Sequence, residues 1–501
     1  MVRRLVVLAS VFGCAAAFGQ GKNAEVKQWI AANQSAVMQE FMQLVSIPDV
    51  KTDKVNIARN AEFLKAMLAR HGFAAQVWET PGTPMVFGEH VVPGATRTLL
   101  FYIHFDGQPV QAKDWAQADP FVPVLRDGPL DKGGKTVTDI GSLKNFPADW
   151  RLYGRAAADD KGPIEALCAA MDAIKQSPSS NVKVILHGEE EGGGPALGYV
   201  LQRHAGDLKA DLMLLLDGPQ HASGRQTIYY GARGGAGLDV TVYTAKTSMH
   251  SGNYGNWMPD ANVRLAQLIA SMVQPSGRVA IKDFYADVPP FSAAARKMLD
   301  AVPDESASMQ KKFGIGRPDG AARSLQEGLN LPAFSVHTMQ GGEAGGVIAG
   351  KASAQIVMRL VVENDPKAMV QRVVEHIRGQ GYFVVDHDPD VATLATHDRV
   401  VKVVAHAANE QGGGAWRTDP GIPQAVFVRD ALHHVWGDKV VEIRTAGGGV
   451  PAGPFIEVNH VPVIGVALVN YDDNQHTNNE NLRLGNLWDG IETLAGLLSG
   501  S

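Results

Sequence analysis

His104 and Asp106 follow directly on the apolar run Leu99-Leu-Phe-Tyr-Ile103, so in an extended chain their side chains leave on the same side. At that spacing an imidazole can bind a metal ion while the nearby carboxylate orients it. Taken alone, the pair reads equally well as a polar cluster at a strand end. A second group, Asp159-Asp160-Lys161-Gly162-Pro163, puts adjacent acids at a helix start. One acid can cap the helix; the other is then free to point into a cleft and be shared, since two cations sit close together only around a common anion. The third group, His187-Gly188-Glu189-Glu190-Glu191-Gly192, ends the Val182–Leu186 run. Three glutamates in isolation are a solvated turn. At the carboxyl end of a buried strand and followed by glycines, they lie where open α/β sheets hold ligands. Asp217 ends the run Leu214-Leu-Leu216, and His476 follows the run Val463–Val469. A His or acid thus follows each of four candidate strands and a fifth group opens a helix, which solvent-facing decoration does not explain. Mixed imidazole and carboxylate donors predict a divalent metal site, zinc first, with cobalt or manganese compatible.

These groups need elements to hold them. Arg97–Ile103, Asn181–Leu186 and Ala210–Leu216 are short continuous apolar runs, with helical character over Lys161–Ser177 between them. That alternation predicts an α/β domain with a largely parallel sheet covered on both faces. After Gly231 the order becomes strand (Ala236–Tyr243), helix (Pro259–Val273), strands (Ala333–Val336 and Ser353–Val362), helix (Pro366–Gly379) and strand (Tyr382–Val385), a ferredoxin-like α+β plan. From about Asp419 the chain returns to the first pattern, with helices over Gln424–Val435 and Leu484–Leu498 and strands over Val440–Arg444 and Pro462–Val469. At 501 residues the chain is too long for one ordinary core. The expected division is a leader over 1–20, a catalytic domain over 21–231 and 416–501, and an inserted domain over 232–415.

Met1–Gln20 carries two arginines, a short apolar run and then small residues, the pattern of a secretory signal and too short for a membrane span. A periplasmic or secreted chain is expected. Cleavage near Ala17 or Gly19 removes Cys14 and leaves Cys168 alone, so no disulfide forms within the mature chain. Net charge is −6 with Lys and Arg scattered, which excludes the basic footprint of a nucleic-acid binder and suits a small polar substrate.

In this order the motifs resemble the dizinc metallopeptidases that include carnosinase, aminoacylase, carboxypeptidase G and acetylornithine deacetylase, with the carnosinase-like dipeptidase branch the nearest match. The resemblance implies a zinc-exopeptidase catalytic domain interrupted by a lid and dimerisation domain. It implies two zinc ions, one held by His104 and Asp217, the other by Glu191 and His476, with Asp159 bridging and Asp106 beside His104. Glu190 is implied as the general base that takes a proton from a metal-activated water. Ser248-Met-His250-Ser251-Gly252 resembles the motif whose histidine reaches the partner subunit's site and stabilises the oxyanion. Arg359, in Met358-Arg359-Leu360, matches the arginine that holds the free substrate carboxylate.

Arg444-Thr-Ala-Gly447-Gly448-Gly449-Val-Pro451 departs from the family's Arg-Glu-Gly-Gly-Ser-Ile-Pro. The turn at Gly448 is kept as a substrate contact, while Thr445 and Ala446 replace the family's charged pair. The reading is hydrolysis of an amide bond next to a free C-terminal carboxylate, in a small peptide, by a homodimer joined through the lid. An N-acyl amino acid deacylase on the same scaffold is the alternative; a non-catalytic binding protein is disfavoured because the base and every ligand are present.

Overall fold

The computed structural model describes residues 9–320, 322–342, 345–406, 414–449 and 451–500. It divides into two compact units, one of Met1–Tyr230, Thr418–Glu442 and Pro454–Ser501, the other of Gly231–Arg417 and Ile443–Gly453.

The first unit is built on an eight-stranded sheet, in the order Ala74–Trp78, Met85–His90, Asn181–His187, Thr98–His104, Leu212–Leu215, Val463–Ala467, Gln226–Tyr229 and Val440–Ile443. Its four middle strands run parallel, from Asn181–His187 to Val463–Ala467. Met85–His90 and Gln226–Tyr229 pair antiparallel on either side. The middle strands read as unbroken apolar runs because both faces are covered: Leu99 to Ile103 are all fully buried. Helices Gly162–Ala173 and Leu484–Ser499, apolar nearly all round, supply much of that cover. Parallel strands share a direction, so their carboxyl ends coincide. His104 lies opposite His187 and Tyr102 opposite Leu215, which brings the segments that follow to one rim of the sheet.

The first helix, Ala9–Val45, is continuous through the residues expected to end a leader; residues 1–8 of that leader lie outside the described residues. Val37, Met38, Phe41 and Leu44 of this helix are buried. Among the described residues no helix is long and apolar enough to cross a membrane. Glu40 on this helix meets His71 Nε2 at 2.8 Å, and Asp172 meets its Nδ1 at 3.0 Å. Burial opposes the charge on His71, but hydrogen bonds to Asp172 and Glu40 outweigh it and raise its pKa to about 9.

The second unit has a five-stranded sheet in the order Ala333–Gly341, Lys351–Leu360, Gly234–Tyr243, Val400–His406 and Phe383–Val385. Helices Ala261–Met272 and Pro366–Gly379 cover one face, with Leu265, Leu268, Met369 and Val373 packed among Leu238, Val240, Ile356 and Met358. The expected strand–helix order is present with one addition. Val400–His406 inserts between Gly234–Tyr243 and Phe383–Val385, pairing parallel with the latter. Only its first two residues are fully buried, so its apolar signal is too short to announce a strand.

Candidate metal centre

Five of the expected groups of the first unit come to the same place. His104, on the last residue of its strand, sets Nε2 2.9 Å from Asp159 Oδ1. His476 Nε2 lies 3.1 Å from Asp159 Oδ2 and 3.1 Å from Glu191 Oε2. The donor atoms of His104, Asp159 and Asp217 fall within 4.8 Å of one another, as do those of Asp159, Glu191 and His476. Asp159 belongs to both triads, one oxygen turned to each histidine.

Backbone contacts explain why these side chains converge. His104 Nδ1 lies 3.0 Å from the Asp106 backbone carbonyl and 3.7 Å from the Asp106 carboxylate. The Asp106 carboxylate also accepts the amide N–H groups of Glu190 (2.9 Å) and Glu191 (3.1 Å), which fixes the turn carrying both glutamates. The glutamate run is divided by what each member touches. Glu189 is buried and accepts from the amides of Thr83 (3.0 Å) and Ala196 (2.6 Å), so it staples the loop. Glu190 is partly buried, and Glu191 accepts from Gln108 Nε2 at 2.9 Å. Gln108, two residues beyond Asp106, carried no sequence signal that set it apart from a surface amide.

The residues fit a divalent cation on electrostatic grounds. Burial, then the negative charge of Asp159, pushes the Asp217 carboxyl up to about 7. Burial, together with the charges of Asp217 and Glu191, pushes Glu190 well above the usual carboxylate range. Hydrogen bonds to Asp159 and Glu191 hold the His476 imidazolium to a pKa of about 10. Buried acids gathered with two histidines in this way call for positive charge at their centre, and nitrogen and carboxylate donors are what such an ion binds. Tyr229 OH steadies this rim by donating to the Asp217 backbone carbonyl at 2.6 Å.

The other expected site residues lie in the second unit, each in its own setting. His250 is exposed at the end of the short strand Met249–His250, and its Nδ1 accepts the Gly252 amide at 3.0 Å. Arg359 is partly buried on Lys351–Leu360, opposite Gly235 on one side and Ala333 on the other, so neither cross-strand neighbour crowds it. Burial and the charge of Arg359 lower the pKa of nearby Arg233 to about 10. Gly448 sits on an open turn, with nothing within 4 Å of where a Cβ would stand. Thr445, in place of a charged residue, is buried and donates to Asn330 Oδ1 at 2.7 Å, while Arg444 Nη1 donates to the same oxygen at 2.8 Å.

Comparison with known proteins agrees with this geometry. The model of Peptidase family M20/M25/M40 matches residues 100–500. The chain is 26% identical to human Beta-Ala-His dipeptidase over 427 residues, 82% of this chain and 76% of that protein. It is 24% identical to the Cys-Gly metallodipeptidase of Schizosaccharomyces pombe over 474 residues, 89% and 92% of the two chains. The crystal structure of human carnosine dipeptidase 1 superposes with a TM-score of 0.72 at 22% identity, covering 95% of this chain and 99% of that one. The M20 carboxypeptidase Sso-CP2 of Sulfolobus solfataricus does so with a TM-score of 0.73 at 22% identity, covering 92% and 98%.

These findings correct the expectation of a periplasmic or secreted chain. The Cys-Gly metallodipeptidases that match most of this chain come from the yeasts Schizosaccharomyces pombe and Saccharomyces cerevisiae. With a family model spanning its residues 100–500 and a cluster of metal donors at the rim of the sheet, the chain belongs to peptidase family M20/M25/M40 and is a metal-dependent peptide hydrolase.

Proposed function

We propose that this hydrolase is a dipeptidase working with two zinc ions and cutting next to a free C-terminal carboxylate. The observation that carries the reading is the sharing of Asp159 between two donor triads. His104, Asp217 and Asp159 would hold one ion, and Glu191, His476 and Asp159 the other. When bound, the ions would polarise the scissile carbonyl and acidify water at the site. Glu190 accepts the proton of the attacking water and passes it to the leaving amine. Asp106 keeps Glu190 and Glu191 in place through their amides.

In the second unit, which we read as a lid and dimerisation domain, Arg359 grips the substrate's C-terminal carboxylate in bidentate fashion. His250 of one protomer stabilises the oxyanion in the partner's site, within a homodimer joined through the lid, and the turn at Gly448 contacts the substrate backbone. A dipeptide is preferred to an N-acyl amino acid because the relatives that match most of this chain carry dipeptidase names. Glu190→Gln tests the assignment of the base. Full metal content with kcat lowered on the order of 100- to 10,000-fold is expected on an alanyl dipeptide; unchanged turnover contradicts it. Assaying acetylated amino acids beside dipeptides separates the deacylase alternative.

A further inference from the structure

The loop that carries Asp159 has little regular structure of its own. Ala156 has φ +58°, in the left-handed region that a non-glycine residue rarely occupies. Asp159 and Asp160 depart from helical backbone before the helix Gly162–Ala173 begins. The amides of such a segment need partners outside it, because a buried N–H left unpaired is costly. One side chain provides them for three residues. Glu480 Oε1 accepts from Ala158 N and Asp159 N, both at 2.9 Å, and Oε2 accepts from Ala156 N at 3.0 Å and Arg155 Nη1 at 2.8 Å. Its backbone carbonyl accepts Gly154 N at 3.1 Å. Glu480 is fully buried, so water does not compete for these contacts.

Glu480 stands four residues after His476, and Arg155 closes the connection by donating to the Thr477 carbonyl at 3.1 Å. The segment that presents His476 is therefore bonded directly to the segment that presents Asp159. We infer that Glu480 is a positioning residue: by gathering the amides of Ala156, Ala158 and Asp159 it sets the Asp159 carboxylate between the His104 and His476 triads. Glu480 touches neither substrate nor metal in this account and acts through the backbone of Asp159. A carboxylate suits the task because both oxygens only accept. A glutamine would turn an N–H₂ group toward N–H donors on one side. An aspartate, shorter by one methylene, would not reach both sets of amides.

The inference rests on the reading of Asp159 as the shared ligand, and the experiment separates the two. Zinc affinity is measured on metal-stripped protein by competition with a chelating dye, for the wild type, Glu480→Gln, Glu480→Asp, Asp159→Asn and His71→Gln. Glu480→Gln is expected to bind zinc about 10- to 100-fold more weakly. At saturating zinc its kcat falls while KM for an alanyl dipeptide stays at the wild-type value. His71→Gln, which breaks an ion-pair cluster elsewhere in the same unit, lowers the unfolding temperature and keeps wild-type zinc affinity; a merely structural Glu480 would behave the same way. Wild-type affinity in Glu480→Gln, with Asp159→Asn impaired, overturns the inference alone. Wild-type affinity in Asp159→Asn overturns the shared-ligand reading and the inference with it. Should Glu480→Gln fail to fold, Glu480→Asp is the deciding variant: weakened zinc binding supports the positioning role, and wild-type binding overturns it.

Discussion

The rim of the first unit's sheet and the Arg359 face of the second unit's sheet hold the proposed site residues in opposite ways. At the rim, His104, Asp159 and Asp217 are buried, and the turns that carry the ligands are held by side chains bonded to backbone amides: Asp106 under Glu190 and Glu191, Glu480 under Asp159. On the second unit, His250 is exposed with its ring on a local amide, and Arg359 stands between Gly235 and Ala333. The first arrangement fixes its charged groups through the backbone; the second sets its side chains on a strand and at an exposed turn. Changes at the rim should therefore affect metal content and kcat, whereas changes on the Arg359 face should affect KM.

The comparison breaks most visibly at His104. His104→Ala removes a nitrogen donor from a buried carboxylate cluster, and loss of a bound zinc should lower kcat by on the order of 1,000-fold, since such an ion contributes several kcal/mol to the transition state. Metal analysis beside turnover checks this; wild-type metal content would break the contrast. Next in size, Arg359→Met should raise KM for a dipeptide by about 10- to 100-fold, the cost of one charge-assisted contact, with metal content intact. A fall in metal content there would erase the distinction.

A smaller effect sharpens the comparison from outside both regions. His71 has a folded-state pKa of about 9, above the ordinary 6.5, so its protonated form is favoured by folding. That stabilisation is complete below about pH 6.5 and is lost as pH rises through about 9. The wild type should therefore exceed His71→Gln in unfolding temperature at pH 6.5, with the gap closing by pH 10. A gap that widens with pH would contradict this sign.

The metal centre was largely legible because a parallel sheet converts strand ends, separated by up to hundreds of residues, into neighbours, and each strand announced itself as an apolar run. His104, Glu191, Asp217 and His476 were read this way, Asp159 from a helix start, and the five come together. What held them was less legible. Glu189 and Glu191 are alike in sequence, yet one staples a loop and the other joins the metal donors. Glu480 stands four residues after His476, but only the fold brings its carboxylate to the Ala156–Asp159 amides. The antiparallel flanks of the first sheet and the strand Val400–His406 escaped because pairing direction is a tertiary property and half-buried strands carry a weak pattern. His250 and Arg359 had no local signal at all and rest on family resemblance alone.

The central claim is that Asp159 joins two metal positions into one centre. Zinc titration of metal-stripped protein, followed together with dipeptide turnover, tests it most directly. Activity is expected to saturate at two equivalents per chain in the wild type, with Asp159→Asn retaining fewer than two. Full activity at one equivalent, with no second ion bound, would contradict it.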